Sequence, residues 1–224
     1  MSVLLSFWKP VHLFDSSFNK FAAWLTHGEF CHVEVVLHVP SDVLKASITK
    51  AIAMKSQEKN NAIDEAFFHD PVSRQQLASS NHMFVSFSAL WGMKLSARIL
   101  RNTATNAWEH TPMESHEDVE FIKLDAIEDE KLQSVCDFCV GKLGESYNTI
   151  GALFSASGAD CAFLKTPHSL FCSEMAVKAM QITGTFVDVK AAATTPNSLY
   201  KMLKAKQAVK IDLETDSEDE TELA

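Results

Sequence analysis

Cys31-His32-Val33-Glu34-Val35-Val36-Leu37-His38-Val39 alternates and is rich in β-branched residues, the pattern of a β-strand. Successive strand residues point to opposite faces, so His32 and Glu34 share one face and Cys31 takes the other, where it is expected in the core. Working outward, residues 3–7 (VLLSF) read as an earlier short strand. Residues 82–89 and 93–100 read as two more, joined by a turn at Gly92, and residues 118–124 (DVEFIKL) as another. A helix is expected over 16–26, with Ser16 or Ser17 as N-cap, Phe18, Phe21, Ala22 and Leu25 on one face, and Gly28 closing it. Residues 41–56 are helix-like after Pro40, and 57–81 are polar and irregular, so 41–81 is expected to be a helical or irregular insertion. Helices follow at 126–143, 171–183 and 196–206, the last with Pro196 in its first turn. Strands come first and helices later, which predicts an α+β fold with an antiparallel sheet packed against helices, not a βαβ repeat.

The chain has 224 residues, 46% hydrophobic and 22% charged, enough to bury a core. The net charge is −9, and seven acidic residues with no Lys or Arg fall in 212–224, so the rest of the chain is near −2. The expected domain is 1–211, followed by a solvated, disordered acidic tail over 212–224 that could recruit a basic partner. A nearly neutral body argues against a nucleic-acid binder, which needs a basic stripe. No apolar run approaches the ~20 residues needed to span a bilayer. Phe18, Phe21, Trp24 and Phe30 leave peripheral membrane contact open. Lys9 and Pro10 interrupt the N-terminal apolar stretch, so it does not read as a signal peptide. The five cysteines are an odd number, which fits a reducing intracellular location better than a disulfide scaffold or a secreted protein. The sequence contains no Gly-rich phosphate loop and no dinucleotide fingerprint, and no cofactor is expected.

Cys172 stands where an apolar approach, Ser169-Leu170-Phe171, meets the start of a helix. A thiol in a first helical turn feels the positive end of the dipole and free amide N–H groups. Both favour thiolate, and the same amides can hold an oxyanion. By position alone, however, a packed core thiol is the commoner outcome. His32 on a rigid strand could serve as the base such a thiol needs. Taken alone it reads as a solvated strand-edge histidine, and Glu34 as a solvated strand residue. Cys136 and Cys139 form a CxxC. They lie on the apolar face of a helical pattern with Leu132, Val135, Val140 and Leu143, so they are expected in the core rather than at a metal.

Four stretches in order strengthen the pair. Trp24-Leu25-Thr26-His27-Gly28-Glu29-Phe30-Cys31-His32-Val33-Glu34-Val35 resembles the His-bearing strand of the permuted NlpC-type papain-like proteins, with their YiiX-like and lecithin-retinol-acyltransferase-like relatives. Phe84-Val85-Ser86-Phe87-Ser88 resembles their Ser-rich second strand. Tyr147-Asn148-Thr149-Ile150-Gly151 is similar to their Tyr-Asp-x-x-Gly element, with Asn in place of Asp. Phe171-Cys172-Ser173-Glu174 resembles their Phe-Cys-Ser-Glu nucleophile helix. The resemblance covers roughly residues 3–185, and the lead into the His strand looks most like homologues encoded by large DNA viruses.

The resemblance implies a circularly permuted papain-like fold with a nucleophilic cysteine at a helix N-terminus. It implies Cys172 as nucleophile and His32 as base. Ser86, Ser88 and Glu34 are the candidates for a third, orienting residue, and His82 is a weaker one. Tyr147, Ser86, Phe171 and Ser173 are the candidate substrate-binding residues. The implied activity is that of a thiol hydrolase or acyltransferase acting on an amide or ester of a peptide or lipid. The alternative is a structural, virion-associated protein that keeps the fold, with other virion proteins as partners.

Overall fold

The computed structural model describes residues 2–10, 20, 23, 28–54, 57–90, 93–100, 118–124, 127–156 and 168–219, with side chains to 207 in the last stretch. The helix expected over 16–26, the Gly92 turn and Cys161 lie wholly or mostly outside these residues. The architecture is α+β. Five antiparallel strands form one sheet: β1 (Ser2–Trp8), β2 (His32–Pro40), β3 (His82–Ser88), β4 (Ser96–Ile99) and β5 (Val119–Lys123), in the order β4-β3-β2-β1-β5. β2 is central. Its alternation sends Val33, Val35, Leu37 and Val39 to one face, where they join the main core. His32, Glu34, Val36 and His38 take the other face. There Leu4, Val36 and Phe84 form a smaller apolar cluster.

The main core is completed by α1 (Ser41–Ala53), α2 (Gln57–Ile63), a π-helical turn (Asp64–Phe68), α3 (Pro71–Ser79) and α4 (Asp129–Gly141). Residues 57–79 are therefore helical rather than irregular. They also belong to the same core, through Ile63, Phe67 and Leu77. Asp70 caps α3 by accepting from the Val72 and Ser73 amides, with Pro71 at the first helical position. Cys136 and Cys139 are fully buried among Leu132, Val135 and Val140 on the inner face of α4, as their spacing predicts.

Two short parallel strands, β6 (Ser146–Tyr147) and β7 (Ser169–Leu170), lead into α5 (Thr149–Ser155) and α6 (Cys172–Ile182). A 3₁₀ turn (Ala191–Ala193) precedes α7 (Pro196–Asp219). The helix expected to end near 206 continues to Asp219, into the stretch expected to be disordered. From 197 to 219 the chain carries no Gly or Pro, and Lys, Ala, Leu and Glu favour continuation. Among the described residues, no helix is long and apolar enough to cross a membrane.

Candidate active site

β3 ends at Ser88, and the β2–β3 pairing ends at Val35–Phe87, so among the described residues the β3 ladder stops short of Val33. The N-terminus of α6 docks there. The Val33 amide N–H, which a longer β3 would have paired, reaches the Cys172 sulfur instead, as does the Ser173 amide. Phe171, the residue before α6, is extended and offers no side-chain cap, so the first-turn amides are not consumed by one. Cys172 is therefore the first residue of the helix, as the sequence predicts, and its thiol hydrogen-bonds the His32 imidazole.

The third side of the arrangement is Glu34. Ser88 Oγ lies 3.0 Å from His32 Nε2, and Glu34 Oε1 lies 3.5 Å from the same nitrogen. Glu34 is 1% exposed, not solvated. Ser86 Oγ donates to its Oε2 at 2.7 Å, and Arg98 Nη2 donates to both carboxylate oxygens at 3.0 and 2.8 Å. Cross-strand register puts these groups on one face. Ser6 and Trp8 of β1 stand opposite Glu34 and His32, and Arg98 of β4 stands opposite Ser86. The Arg98 guanidinium lies 5.8 Å from the centre of the Trp8 ring. Glu34, Ser86 and Ser88 are the three candidates for the orienting residue. All three fall within one network, while His82 sits at the far end of β3, ring-to-ring with His38.

These contacts set the charges. Burial disfavours imidazolium, but the Cys172 and Glu34 hydrogen bonds and charges outweigh it and carry His32 up to about 9. Burial alone would push the Cys172 thiol up. The His32 hydrogen bond and charge, with the Val33 and Ser173 amides, bring it below the ordinary thiol range. Burial likewise opposes the Glu34 carboxylate, yet His32, Arg98 and Ser86 hold it down to about 2. Together these directions describe a thiolate–imidazolium pair backed by a carboxylate.

Tyr147 also reaches Cys172. Burial, the neighbouring thiolate and the hydrogen bond to it hold the phenol well above its usual range, hence protonated. Its position is set by the β6–β7 pairing, which places Tyr147 beside Leu170, two residues before Cys172. Asn148 caps α5 by accepting from the Gly151 amide at 2.8 Å, and a side chain at Gly151 would collide with it. Phe171 and Ser173, proposed to bind substrate, are 1% and 0% exposed, and the Ser173 hydroxyl donates to the Thr194 carbonyl at 2.6 Å. Ser86 is fully buried against Glu34. Their side chains thus meet protein rather than an open surface.

Cys31 departs from expectation. It is half-buried rather than in the core, its thiol donates to the Trp8 carbonyl at 3.4 Å, and it lies near enough to Cys172 to feel its charge. Burial and the Cys172 thiolate push its own thiol up to about 12, so it stays protonated. The two-residue repeat fails because Cys31 sits in a bend just before β2 begins.

Sequence reasoning missed a clamp. Asn197, in the first turn of α7, accepts from the Phe30 amide at 2.9 Å and donates to the Phe30 carbonyl at 2.8 Å. Three residues earlier, Thr194 holds Ser173. One short segment thus ties the loop before His32 to the helix that carries Cys172. Gly28 makes this approach feasible, since a Cβ there would overlap the Asn197 side chain. Asn197→Ala is expected to cost about 2–4 kcal/mol, because two buried backbone groups of Phe30 lose their partners. Gly28→Ala should cost a similar amount by expelling Asn197. Urea midpoints of the two variants against the parent check both.

Among the described residues, no group of three or more His, Cys, Asp or Glu side chains could hold a metal ion. Comparison with protein-family models, with curated proteins and with solved structures finds no match to this chain.

Proposed function

We propose that this chain is a thiol hydrolase or acyltransferase of circularly permuted papain-like type, with Cys172 as nucleophile, His32 as base and Glu34 as the orienting carboxylate. The observation that carries the reading is the hydrogen bond between a helix-N-terminal thiol and a buried imidazole whose Nε2 faces Ser88 and Glu34. Nucleophile, base and orienter within mutual reach is the arrangement acyl transfer needs. The chain order His32, Ser88, Tyr147, Cys172 supports the permuted assignment.

The proposed chemistry follows. The thiol proton rests on His32. The thiolate attacks an amide or ester carbonyl, forming the C–S bond and moving the carbonyl electron pair to oxygen. Helix-start N–H groups stabilise that oxyanion. His32 gives its proton to the leaving amine or alcohol as the C–N or C–O bond breaks. An acyl-enzyme remains. Water, or an acceptor alcohol or amine, then loses a proton to His32 and attacks the thioester, which releases the acyl group and restores the thiol. With Nε2–H directed at Glu34 and Ser88, Nδ1 is the nitrogen that takes up the proton in this scheme.

The test is incubation with a 4-nitrophenyl ester followed by intact-mass and peptide analysis. The parent should gain one acyl group, on the peptide bearing Cys172, and Cys172→Ala should gain none there. Equal acylation of both proteins, or acylation spread over the other cysteines, contradicts the reading.

A second reading has one observation in its favour. Cys172 and His32 are only 5% and 4% exposed, which suits a protein that keeps the fold as a structural component. Probe size separates the two. An enzyme admits an acyl ester at Cys172 at a rate that saturates with ester concentration. A buried structural thiol reacts only with the smallest reagents, and without saturation.

A further inference from the structure

The contacts of Glu34 are unequal. Its carboxylate lies 2.8 and 3.0 Å from Arg98 Nη2 and 2.7 Å from Ser86 Oγ, but 3.5 Å from His32 Nε2, beyond ordinary hydrogen-bond length. Its shortest contacts are therefore to Arg98 and Ser86, not to the imidazole. We propose that Arg98 is a positioning residue that draws the Glu34 carboxylate away from full pairing with His32, so that the imidazole, having given its proton to the leaving group, stays neutral while Cys172 is acylated. This rests on the acyl-enzyme reading above and adds the group that makes its second half work.

The argument is one of charge balance. Before reaction, thiolate, imidazolium, carboxylate and guanidinium sum to zero. Acylation removes the thiolate. Taking up a new proton on His32 beside Glu34 and Arg98 would then leave one net positive charge in a buried site, so His32 remains the neutral base that attack by water requires. Without Arg98, imidazolium and carboxylate would form a neutral buried pair and hold that proton. The other titratable groups about His32 do not change this count: Cys31, before β2, and Tyr147, from β6, are both held protonated by burial, which acylation does not remove. Ser6 and Trp8 of β1 and Ser88 of β3 are uncharged. Arg98 is well placed for such a role, since it lies on an edge strand with its side chain 42% exposed. Its Nη2 meets the buried Glu34 carboxylate, and its guanidinium lies 5.8 Å from the centre of the Trp8 ring.

The experiment is an NMR titration of the His32 ring in Cys172→Ala, which removes the thiolate as acylation does, with and without Arg98→Gln. The midpoint is expected to move upward by about one unit or more when the guanidinium is lost. Arg98→Lys, which keeps the charge, should return most of the way to the parent value. Arg98→Met, which can lie over the Trp8 ring, carries the same expectation as Arg98→Gln if the latter does not fold. In otherwise wild-type protein, Arg98→Gln should slow loss of the acyl group from Cys172 about tenfold at pH 7 and leave its formation within a few-fold. A His32 midpoint that stays within a few tenths of a unit, or falls, overturns the proposal. Absence of acylation in the parent would instead defeat the hydrolase reading, and the titration would still decide the role of Arg98.

Discussion

His32→Asn slows alkylation of Cys172 by iodoacetamide at pH 6 by one to two orders of magnitude: this is the expected result of removing the partner that holds the thiolate. A free thiol with a pKa near 8.5 is about 0.3% ionised at pH 6, whereas a thiolate paired with imidazolium is largely ionised there. That is a gain of about 300-fold in reactive species. A lower-pKa thiolate is less nucleophilic, with a Brønsted slope of about 0.4–0.5, which takes back roughly half of the gain on a logarithmic scale. Asparagine leaves Cys172 buried at the start of α6 without the imidazolium, with the Val33 and Ser173 amides and the Tyr147 phenol to favour its charge, and burial then raises the thiol. The difference between parent and variant should shrink toward pH 10, where both thiols ionise. A second-order rate constant from mass-resolved labelling of the Cys172 peptide reads this directly.

Glu34→Gln is expected to lower stability at pH 7 by about 3–5 kcal/mol, the range found when one member of a buried charged network is removed. The amide cannot accept Arg98, Ser86 and the imidazole together as a carboxylate does. The pH dependence carries a sign. Glu34 is held down to about 2, below the roughly 4.3 of a free carboxyl, so its contribution is present above that value and fades as pH falls toward 2. His32 is carried up to about 9 from an ordinary 6.5, so its contribution is complete below 6.5 and is lost as pH rises through 9. The stability gap between parent and Glu34→Gln should be widest between pH 5 and 7 and should close on both sides. Urea unfolding at pH 3, 6 and 10 measures it. A gap that is constant across these values would mean that Glu34 acts through packing alone.

Much of the site follows from local pattern. The two-residue repeat of β2 puts His32 and Glu34 on one face, and the repeat of β3 does the same for Ser86 and Ser88. The helix start at Cys172 is legible from the apolar approach before it. What the sequence hides depends on pairing at long range. Glu34 reads as solvated because nothing nearby in the chain shows that Arg98, 64 residues on, will stand beside it. Asn197 is silent for the same reason, being 167 residues from the Phe30 it holds. In 57–79, the π-helical turn at Asp64–Phe68 shifts the register between α2 and α3. The buried Ile63 and Phe67 stand one helical repeat apart, but the chain leaves helical conformation at Asp70 before Leu77, so no longer apolar repeat marks the face and a polar stretch conceals a core element.

The account rests on a thiolate–imidazolium pair at Cys172 and His32, and the pH profile of Cys172 alkylation in the parent protein tests it most directly. The pair predicts a rate that is already high near pH 6, stays level through neutrality, and changes again near pH 9 as His32 loses its proton. A rate that climbs about tenfold per unit through pH 7 and 8, as an isolated thiol does, would contradict the pair and with it the proposed chemistry.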